Sequence, residues 1–195
     1  MARFMHAWIQ FFVLLTPFFA LSMFVLYTED RTAREKKILA LKVTLAVLVL
    51  GLLLFFLGDA IFRVVGITID SFRVGAGSLL FLSAVSLVRG QEKPGTTNDD
   101  VAVVPLAIPV LLGPATIGTI LVNGAQTASA GERTISILAL FAAVVSTGAI
   151  LLSSDLIERA IKSGGIAILS KLTGLMLSAM ASQMVFEGAR NLLRY

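Results

Sequence analysis

The stretch from residue 104 to 116, VPLAIPVLLGPAT, constrains the fold more than any other part of the chain. It lies within a charge-free window over residues 101–130 that is long enough to cross a bilayer. Pro105, Pro109 and Pro114 interrupt it, and each removes an amide donor and disfavours helix at the residue before it. A carbonyl freed in hydrocarbon is costly unless protein, water or a ligand bonds to it. The stretch therefore predicts either a kinked helix supported by its neighbours or a broken helix that lines a polar cavity.

The composition of the rest of the chain indicates the same environment. Of 195 residues 57% are hydrophobic and 14% are charged, whereas soluble domains average about 25% charged. The net charge of +4 comes from basic residues that lie between apolar spans, where they contact lipid headgroups. We therefore expect an integral membrane protein whose partner is membrane lipid and not nucleic acid.

The sequence lacks residues that several kinds of active site require. There is no cysteine, and the single histidine, His6, lies before the first predicted span. A zinc site of the HExxH type needs two histidines, and a histidine-based triad is not expected at this position. No P-loop motif is present, which argues against transport driven by ATP within this chain. The sequence predicts a protein that is not an enzyme and has no metal or cofactor.

The gaps between charged residues predict an all-α membrane protein with six transmembrane helices. The first span is interrupted at Thr16-Pro17, and the fourth contains the proline-rich stretch. The predicted spans are residues 8–27, 38–58, 67–88, 101–122, 134–154 and 166–186.

An internal repeat emerges when the chain is shifted by 97 positions. Prolines, glycines and charged residues then coincide at equivalent places in the spans: Pro17 with Pro114, Glu35 with Glu132, Lys36 with Arg133, Gly51 with Gly148, Gly77 with Gly174, and Val88 with Val185. Three spans per half force the halves into opposite orientations. We therefore expect an inverted 3+3 repeat, residues 1–97 and 98–195, with broken helices 1 and 4 inside one integral membrane domain.

Inverted-repeat transporters bind their substrates near the membrane midplane at broken helices. The matched proline breaks therefore predict a substrate site, although local hydrogen bonding within kinked helices would explain the same residues. The predicted substrate-binding residues are Thr16, Pro17, Pro105, Pro109, Gly113, Pro114, Ala115, Thr116 and Thr119.

A second group of residues has small or polar side chains inside the third and sixth spans. Small side chains let helices approach closely, and the same lines of residues can also border a path. The predicted helix-packing or gating residues are Gly75, Ala76, Gly77, Gly174, Ser178 and Gln183. Charged residues near span ends are expected to be interfacial anchors or gate pairs; they are Asp59, Asp70, Arg73, Asp155, Lys171 and Glu187.

The distribution of lysine and arginine predicts the orientation. The side that carries both termini has six of these residues and the other side has ten. Because cytoplasmic loops are enriched in positive charge, both termini should face away from the cytoplasm.

Three motifs resemble the MarC family of six-span bacterial and archaeal membrane proteins. They are V-P-L-A-I-P-x-x-x-G-P at 104–114, K-L-x-G-L-x-L-x-x-M-A-x-Q-M at 171–184, and E-G at 187–188. The resemblance covers nearly the whole chain. It implies a likeness to LysE-type exporters and, for one branch, carriage of small neutral amino acids such as glycine and alanine coupled to a Na⁺ or H⁺ gradient.

The first half departs from the family pattern. Thr16 stands where the family tends to have an acid or amide, and Ala20 replaces an asparagine. Ala76 replaces the first of two paired glycines, and Ala115 stands where a glycine often follows Gly-Pro. Fold and membrane role therefore transfer from the resemblance more readily than substrate and coupling ion.

These observations predict a secondary transporter or exporter of small neutral metabolites, above all amino acids, that works by alternating access at the repeat interface. A non-transporting membrane scaffold or assembly factor, and a passive channel, are the alternatives. The expected location is the bacterial plasma membrane, with multiple passes. The sequence leaves open whether the chain forms a homo-oligomer.

Overall fold

The computed structural model describes residues 1–89, 106–127 and 129–193. In these ranges the chain is helical and contains no strand. The helices are α1 (Ala2–Leu14), α2 (Pro17–Tyr27), α3 (Ala33–Val65), α4 (Ile69–Arg89), a π-helical segment (Leu106–Leu111), α5 (Pro114–Gln126), α6 (Ala130–Leu152) and α7 (Ser154–Leu192).

Among the described residues, five stretches are long and apolar enough to cross a membrane. They are Ala2–Val25, Ala33–Gly58, Ile69–Arg89, Ala130–Leu152 and Ala167–Leu192. The prediction of an all-helical membrane protein is thus confirmed. The predicted fourth span is not one continuous helix: it comprises the π-helical segment and α5, and its residues 101–105 lie outside the described part.

Helix ends differ from the predicted ones in three places. The predicted turn over residues 59–66 is mostly helical, because α3 continues to Val65 and ends at Gly66, whose φ is 72°. The predicted loop 123–133 shrinks, since α5 extends to Gln126 and α6 begins at Ala130. The predicted connection 155–165 is helical and belongs to α7. A helix bonds its own backbone in water as well as in lipid, so the end of an apolar run does not end a helix.

Helix α3 and helix α6 each begin with a hydroxyl side chain that caps the helix, and at α3 the bond is reciprocated. Thr32 caps α3 and accepts a hydrogen bond from the Glu35 backbone N–H (3.4 Å), while the Glu35 carboxylate accepts from the Thr32 N–H (2.8 Å). Ser129 caps α6 and accepts from the Glu132 backbone N–H (3.2 Å). The two caps are related by the same shift of 97 positions as the repeat.

Helices α4 and α7 form the most extensive helix pair, and two glycines let them approach. A Cβ placed on Gly77 would lie 3.1 Å from the Ala181 carbonyl oxygen and 2.8 Å from Val185 Cγ2. A Cβ on Gly174 would lie 3.1 Å from the Ala84 carbonyl oxygen and 3.0 Å from Val88 Cγ2. The two contacts are reciprocal, because Ala84 and Ala181, like Val88 and Val185, are 97 positions apart.

Helices α3 and α5 also cross closely. A Cβ on Gly58 would collide with the Leu121 carbonyl, and a Cβ on Gly124 would collide with the Phe55 carbonyl. Backbone therefore meets backbone on both sides of this crossing, which leaves no room for a side chain. The close approach holds α5 against α3.

The main apolar core joins α1, α2, α3, the π-helical segment and α6 around buried side chains such as Phe11, Phe24 and Phe55. Large apolar side chains on α3, α4 and α7, including Leu45, Leu82 and Phe186, are instead exposed. Exposed apolar surface of this extent suits contact with lipid. The core places the end of α1, the start of α2 and the start of α5 next to one another.

Candidate functional site

The break between α1 and α2 is centred on Thr16. Its φ of 46° and ψ of 56° lie in the left-handed region, and among the described residues it is the only non-glycine with positive φ. For a residue with a Cβ that conformation costs about 1–2 kcal/mol. Pro17 follows as the first residue of α2. Backbone strain of this kind persists where surrounding structure enforces it, and it clusters at functional sites.

The Thr16 hydroxyl adds a second local cost. The residue is 6% exposed, and Oγ1 is buried without a hydrogen-bond partner among the described residues. A buried polar atom left unbonded costs about 1–3 kcal/mol. A strained backbone and an unbonded buried hydroxyl therefore coincide at one residue.

The second break has a different local geometry. In the π-helical segment the Leu112 N–H donates to the Ala107 carbonyl (2.9 Å), a bond that spans five residues and not four. Gly113 is extended (φ −67°, ψ 167°), and Pro114 begins α5. Short π-helical turns occur often at functional sites.

The two breaks contact each other directly. Thr116 Oγ1, in the first turn of α5, donates to the Leu14 carbonyl oxygen at the end of α1 (3.1 Å), and both residues are buried. In a continuous helix that carbonyl would bond to the Phe18 N–H, and Thr16 prevents this. A hydroxyl from the second half of the chain therefore bonds a carbonyl that the first break has freed.

A cavity of about 360 Å³ adjoins this contact. We call it the break cavity, and Thr16, Gly113 and Thr116 line it. Helix α4 adds two hydroxyls to its wall, from Ser83 and Ser86. The other described residues that line it are apolar: Leu14, Phe19, Leu79, Leu80, Leu82, Leu87, Val110 and Leu177.

The helices that start at the two breaks both begin with proline and lack a side-chain cap. Their first intrahelical bonds run from Ala20 to Thr16 and from Ile117 to Gly113. The amides that precede Ala20 and Ile117 therefore have no partner within their own helices. Helix N-termini with free amides attract negative charge.

The predicted substrate-binding residues separate into groups in the structure. Thr16, Gly113 and Thr116 line the break cavity, and Pro17 directly follows Thr16. The backbone places Pro109 in the π-helical segment, and Pro114 and Ala115 in the first turn of α5. Pro105 lies outside the described residues. Thr119 is one turn beyond Thr116, is buried, and lines a different cavity.

The predicted helix-packing or gating residues also differ in their surroundings. Gly77 and Gly174 lie in the α4–α7 crossing, and Ala76 is buried against Gly118 of α5. Gly75, in contrast, is exposed, with nothing within 4 Å of where its Cβ would be. The Ser178 hydroxyl donates to the Leu175 carbonyl (2.8 Å) within α7, and Gln183 donates to the Glu187 carboxylate (3.0 Å).

A second cavity, of about 520 Å³, was not predicted from the sequence. We call it the charged cavity, because Arg73 and Glu187 line it together with Asn123. From the sequence, Arg73 and Glu187 are expected to be interfacial anchors or members of gate pairs. A signal was present on α7, where Met176, Met180 and Met184 are four residues apart and Gln183 and Glu187 are also four apart, so the two neighbouring rows form one face.

Replacing Thr16 with glycine is expected to stabilise the protein while it weakens ligand binding. Glycine adopts positive φ without steric cost and has no hydroxyl to leave unbonded. The free energy of unfolding, followed by thermal melts in detergent, should therefore rise by about 1–2 kcal/mol. If the Thr16 hydroxyl binds the ligand, substrate affinity should fall about tenfold. Thermal melts and binding measurements on one preparation test both signs. A variant that binds as tightly as the wild type would contradict the role given to the hydroxyl.

Comparison with known proteins gives matches over the whole chain. The family described as MarC family integral membrane protein matches residues 1–193. A UPF0056 membrane protein from Methanocaldococcus jannaschii is 32% identical, with 97% of each chain covered. One from Aquifex aeolicus is 30% identical over 98% of this chain and 94% of its own length. The UPF0056 inner membrane protein YhgN of Escherichia coli is 26% identical over 91% of both chains.

No solved structure matches the chain. The family match extends over both proline breaks and both cavities, and the coverage of the relatives is nearly complete. The chain belongs to the MarC family of integral membrane proteins.

Proposed function

We propose that the protein is a secondary transporter of small neutral metabolites, above all amino acids, in the bacterial plasma membrane. One observation carries the proposal: the two helix breaks meet at the bond from Thr116 to the Leu14 carbonyl, beside a cavity that both breaks line. Paired broken helices that meet at a cavity are the arrangement by which many secondary transporters bind substrate. Like the sequence-based expectation, the proposal involves no enzymatic step.

The inverted 3+3 repeat is part of this proposal, with halves 1–97 and 98–195. Three pairs of equivalent features support it. The caps Thr32 and Ser129 coincide under the repeat, and Gly77 and Gly174 make reciprocal contacts. Lys36 and Arg133 are also equivalent, and each reaches across to another long helix. Lys36 pairs with Asp155 (3.1 Å), and Arg133 Cζ lies 5.2 Å from the ring centroid of Phe56.

The break cavity contains groups suited to both ends of an amino acid. The starts of α2 and α5 have backbone amides without intrahelical partners, which suit a carboxylate. The Leu14 carbonyl and the Thr16 hydroxyl are acceptors that suit an ammonium group, and the buried hydroxyl would have to turn toward the cavity to reach it. The volume of about 360 Å³ lies near the lower end of the usual range for ligand pockets, about 300–1,000 Å³. A small substrate fits this space better than a large one.

Alternating access requires contacts at each end that are easily broken. At one end Lys36 pairs with Asp155 (3.1 Å), and at the other Arg3 pairs with Glu132 (3.0 Å). Partly exposed ion pairs contribute only about 0–1 kcal/mol. These two ion pairs therefore add little to the cost of opening either end, and we assign the bias of the cycle to a Na⁺ or H⁺ gradient. The coupling ion belongs to the proposal.

Orientation is tested most directly by cysteine labelling, since the chain has no cysteine of its own. Asp30 lies between α2 and α3, and Gly131 lies in the first turn of α6; both are exposed. With both termini outside, Gly131→Cys should react with an impermeant thiol reagent in intact cells, and Asp30→Cys should react only after permeabilisation. The reverse labelling pattern would overturn the orientation.

Flux in proteoliposomes tests the transport function itself. Purified protein should take up labelled glycine, alanine or serine with saturable kinetics, and a Na⁺ or H⁺ gradient should raise the rate. Flux that never saturates would replace the transporter by a passive channel. The absence of flux for every solute would favour a membrane scaffold or assembly factor.

A further inference from the structure

The charged cavity lies outside the break cavity and is formed by α1, α4, α5 and α7. Arg73 of α4 lines it together with Asn123 of α5 and Glu187 of α7. It is close to the chain ends, because the N-terminal part of α1 and the C-terminal part of α7 both border it. Its volume of about 520 Å³ leaves room for a small organic molecule and accompanying water.

The cation of this cavity is held in a defined orientation. Arg73 donates to the Asp70 carboxylate (3.1 Å) and to the Gln126 side-chain oxygen (2.7 Å), and its side chain is 16% exposed. Asn191 donates to the same Asp70 oxygen (3.0 Å), which secures the pair from α7. A guanidinium has five N–H donors, so these two bonds leave donors for a further anion.

The opposite charge and a neutral acceptor come from α7 and α5, and His6 and Gln10 of α1 also line the cavity. The Glu187 carboxylate accepts one bond from Gln183 (3.0 Å) and, as a carboxylate, can accept several. Asn123 donates its side-chain amide to the Thr119 carbonyl (2.9 Å), which leaves its own side-chain oxygen as an acceptor. Met176, Met180 and Met184 provide an adaptable apolar wall. A cation, an anion and an apolar wall around one space match a small zwitterion.

The two cavities are neighbours. Leu14 and Leu80 line both of them, and each of these side chains is 3% exposed. They belong to one compact apolar cluster with Leu177. A ligand in the charged cavity is therefore separated from the break cavity by buried leucine side chains, whose rotation would connect the two spaces.

We propose that the charged cavity is a second, separate binding site for a small zwitterion, whose anionic group binds Arg73 and whose ammonium group binds Glu187 and Asn123. The inference rests on the proposed function, because the substrate would occupy this cavity before or after it occupies the break cavity. The charged cavity lies on the side of the chain termini. The occupant is a free amino acid. An ethanolamine phosphate headgroup of a lipid has the same pair of charges, so the test must separate the two sources.

The test measures how many molecules of labelled alanine bind to the full-length protein in nanodiscs that contain no ethanolamine lipid. The wild type should bind two per chain. Glu187→Gln keeps the shape of the side chain and removes its charge, so it should bind one, with the second affinity weakened at least tenfold. Thr116→Val should also bind one, because it alters only the break cavity. Glu29→Gln, an exposed residue between α2 and α3, is the matched control and should still bind two.

The outcomes separate this inference from the transport proposal. One molecule per wild-type chain, lost in Thr116→Val and unchanged in Glu187→Gln, would overturn the second site and leave the transporter standing. Two molecules that ethanolamine lipid displaces from the Glu187-dependent site would overturn the amino acid as occupant in favour of the headgroup. No binding at all would overturn both. In flux assays a true second site predicts that Glu187→Gln raises the half-saturating substrate concentration and keeps saturable transport.

Discussion

Gly58→Ala and Gly124→Ala are each expected to destabilise the protein by about 2 kcal/mol. The new Cβ would collide with a backbone carbonyl of the facing helix, Leu121 or Phe55, and backbone cannot move aside as a side chain can. Overpacking of this kind costs about 1–3 kcal/mol and occasionally more. Alanine returns about 1 kcal/mol through its better helix propensity, so a net loss of about 2 kcal/mol corresponds to a collision at the upper end of that range. The expected fall in the melting temperature is about 4–8 °C.

Gly75→Ala is the matched control for these two variants. It makes the same change within a helix, but nothing lies within 4 Å of the new Cβ. We therefore expect a gain of about 1 kcal/mol from helix propensity alone. Thermal unfolding in detergent, followed by the fluorescence of Trp8, measures all three variants. Equal melting temperatures for Gly58→Ala and Gly75→Ala would show that α3 and α5 are not in backbone contact.

Thr116→Val should lower transport about tenfold or more and stability by about 1–3 kcal/mol. Valine keeps the shape of threonine and removes the hydroxyl that bonds the Leu14 carbonyl (3.1 Å), so a buried acceptor loses its partner. The hydrogen bond that is lost connects the two helix breaks, and the proposed substrate site lies beside it. A cost of about 1.4 kcal/mol in transition-state energy already corresponds to a tenfold lower rate.

Thr147→Val controls for the loss of a buried threonine hydroxyl. Thr147 is 2% exposed, but its hydroxyl donates only to the Ala143 carbonyl four residues earlier in α6 (2.9 Å). That carbonyl also accepts a hydrogen bond from a backbone N–H of the helix, so it keeps a partner when the hydroxyl is removed. Transport should therefore change less than twofold. Initial uptake rates in proteoliposomes, normalised to folded protein, compare the pair. Wild-type rates for Thr116→Val would refute the proposed role of the contact.

Features that depend on neighbouring residues could be predicted from the sequence. Pro17 and Pro114 placed both helix starts correctly, because a ring nitrogen has no N–H to donate whatever surrounds it. The caps at Thr32 and Ser129 were not predicted, although their bonds to residues three positions on are equally local. The predicted ends of the spans failed where the apolar run and the helix stop at different residues, as for α3 at Val65.

The composition of the two cavities could not be predicted in the same way. Thr119 follows Thr116 by one turn and looked equivalent in the sequence, yet it lines the charged cavity. Arg73 and Glu187 lie more than a hundred residues apart and border the same space only because α4 packs against α7. Helix rotation decides which side chains face a cavity, and rotation follows from contacts between distant segments.

The sequence by itself determined where the helices of this protein must break, because the missing amide of a proline is a covalent property. It also determined that both breaks lie in apolar spans, where a freed carbonyl needs a partner. Only the tertiary structure decided which partner that is. Thr116 reaches the Leu14 carbonyl across 102 positions of the chain, since the packing of helices, and not their sequence spacing, brings the two breaks together.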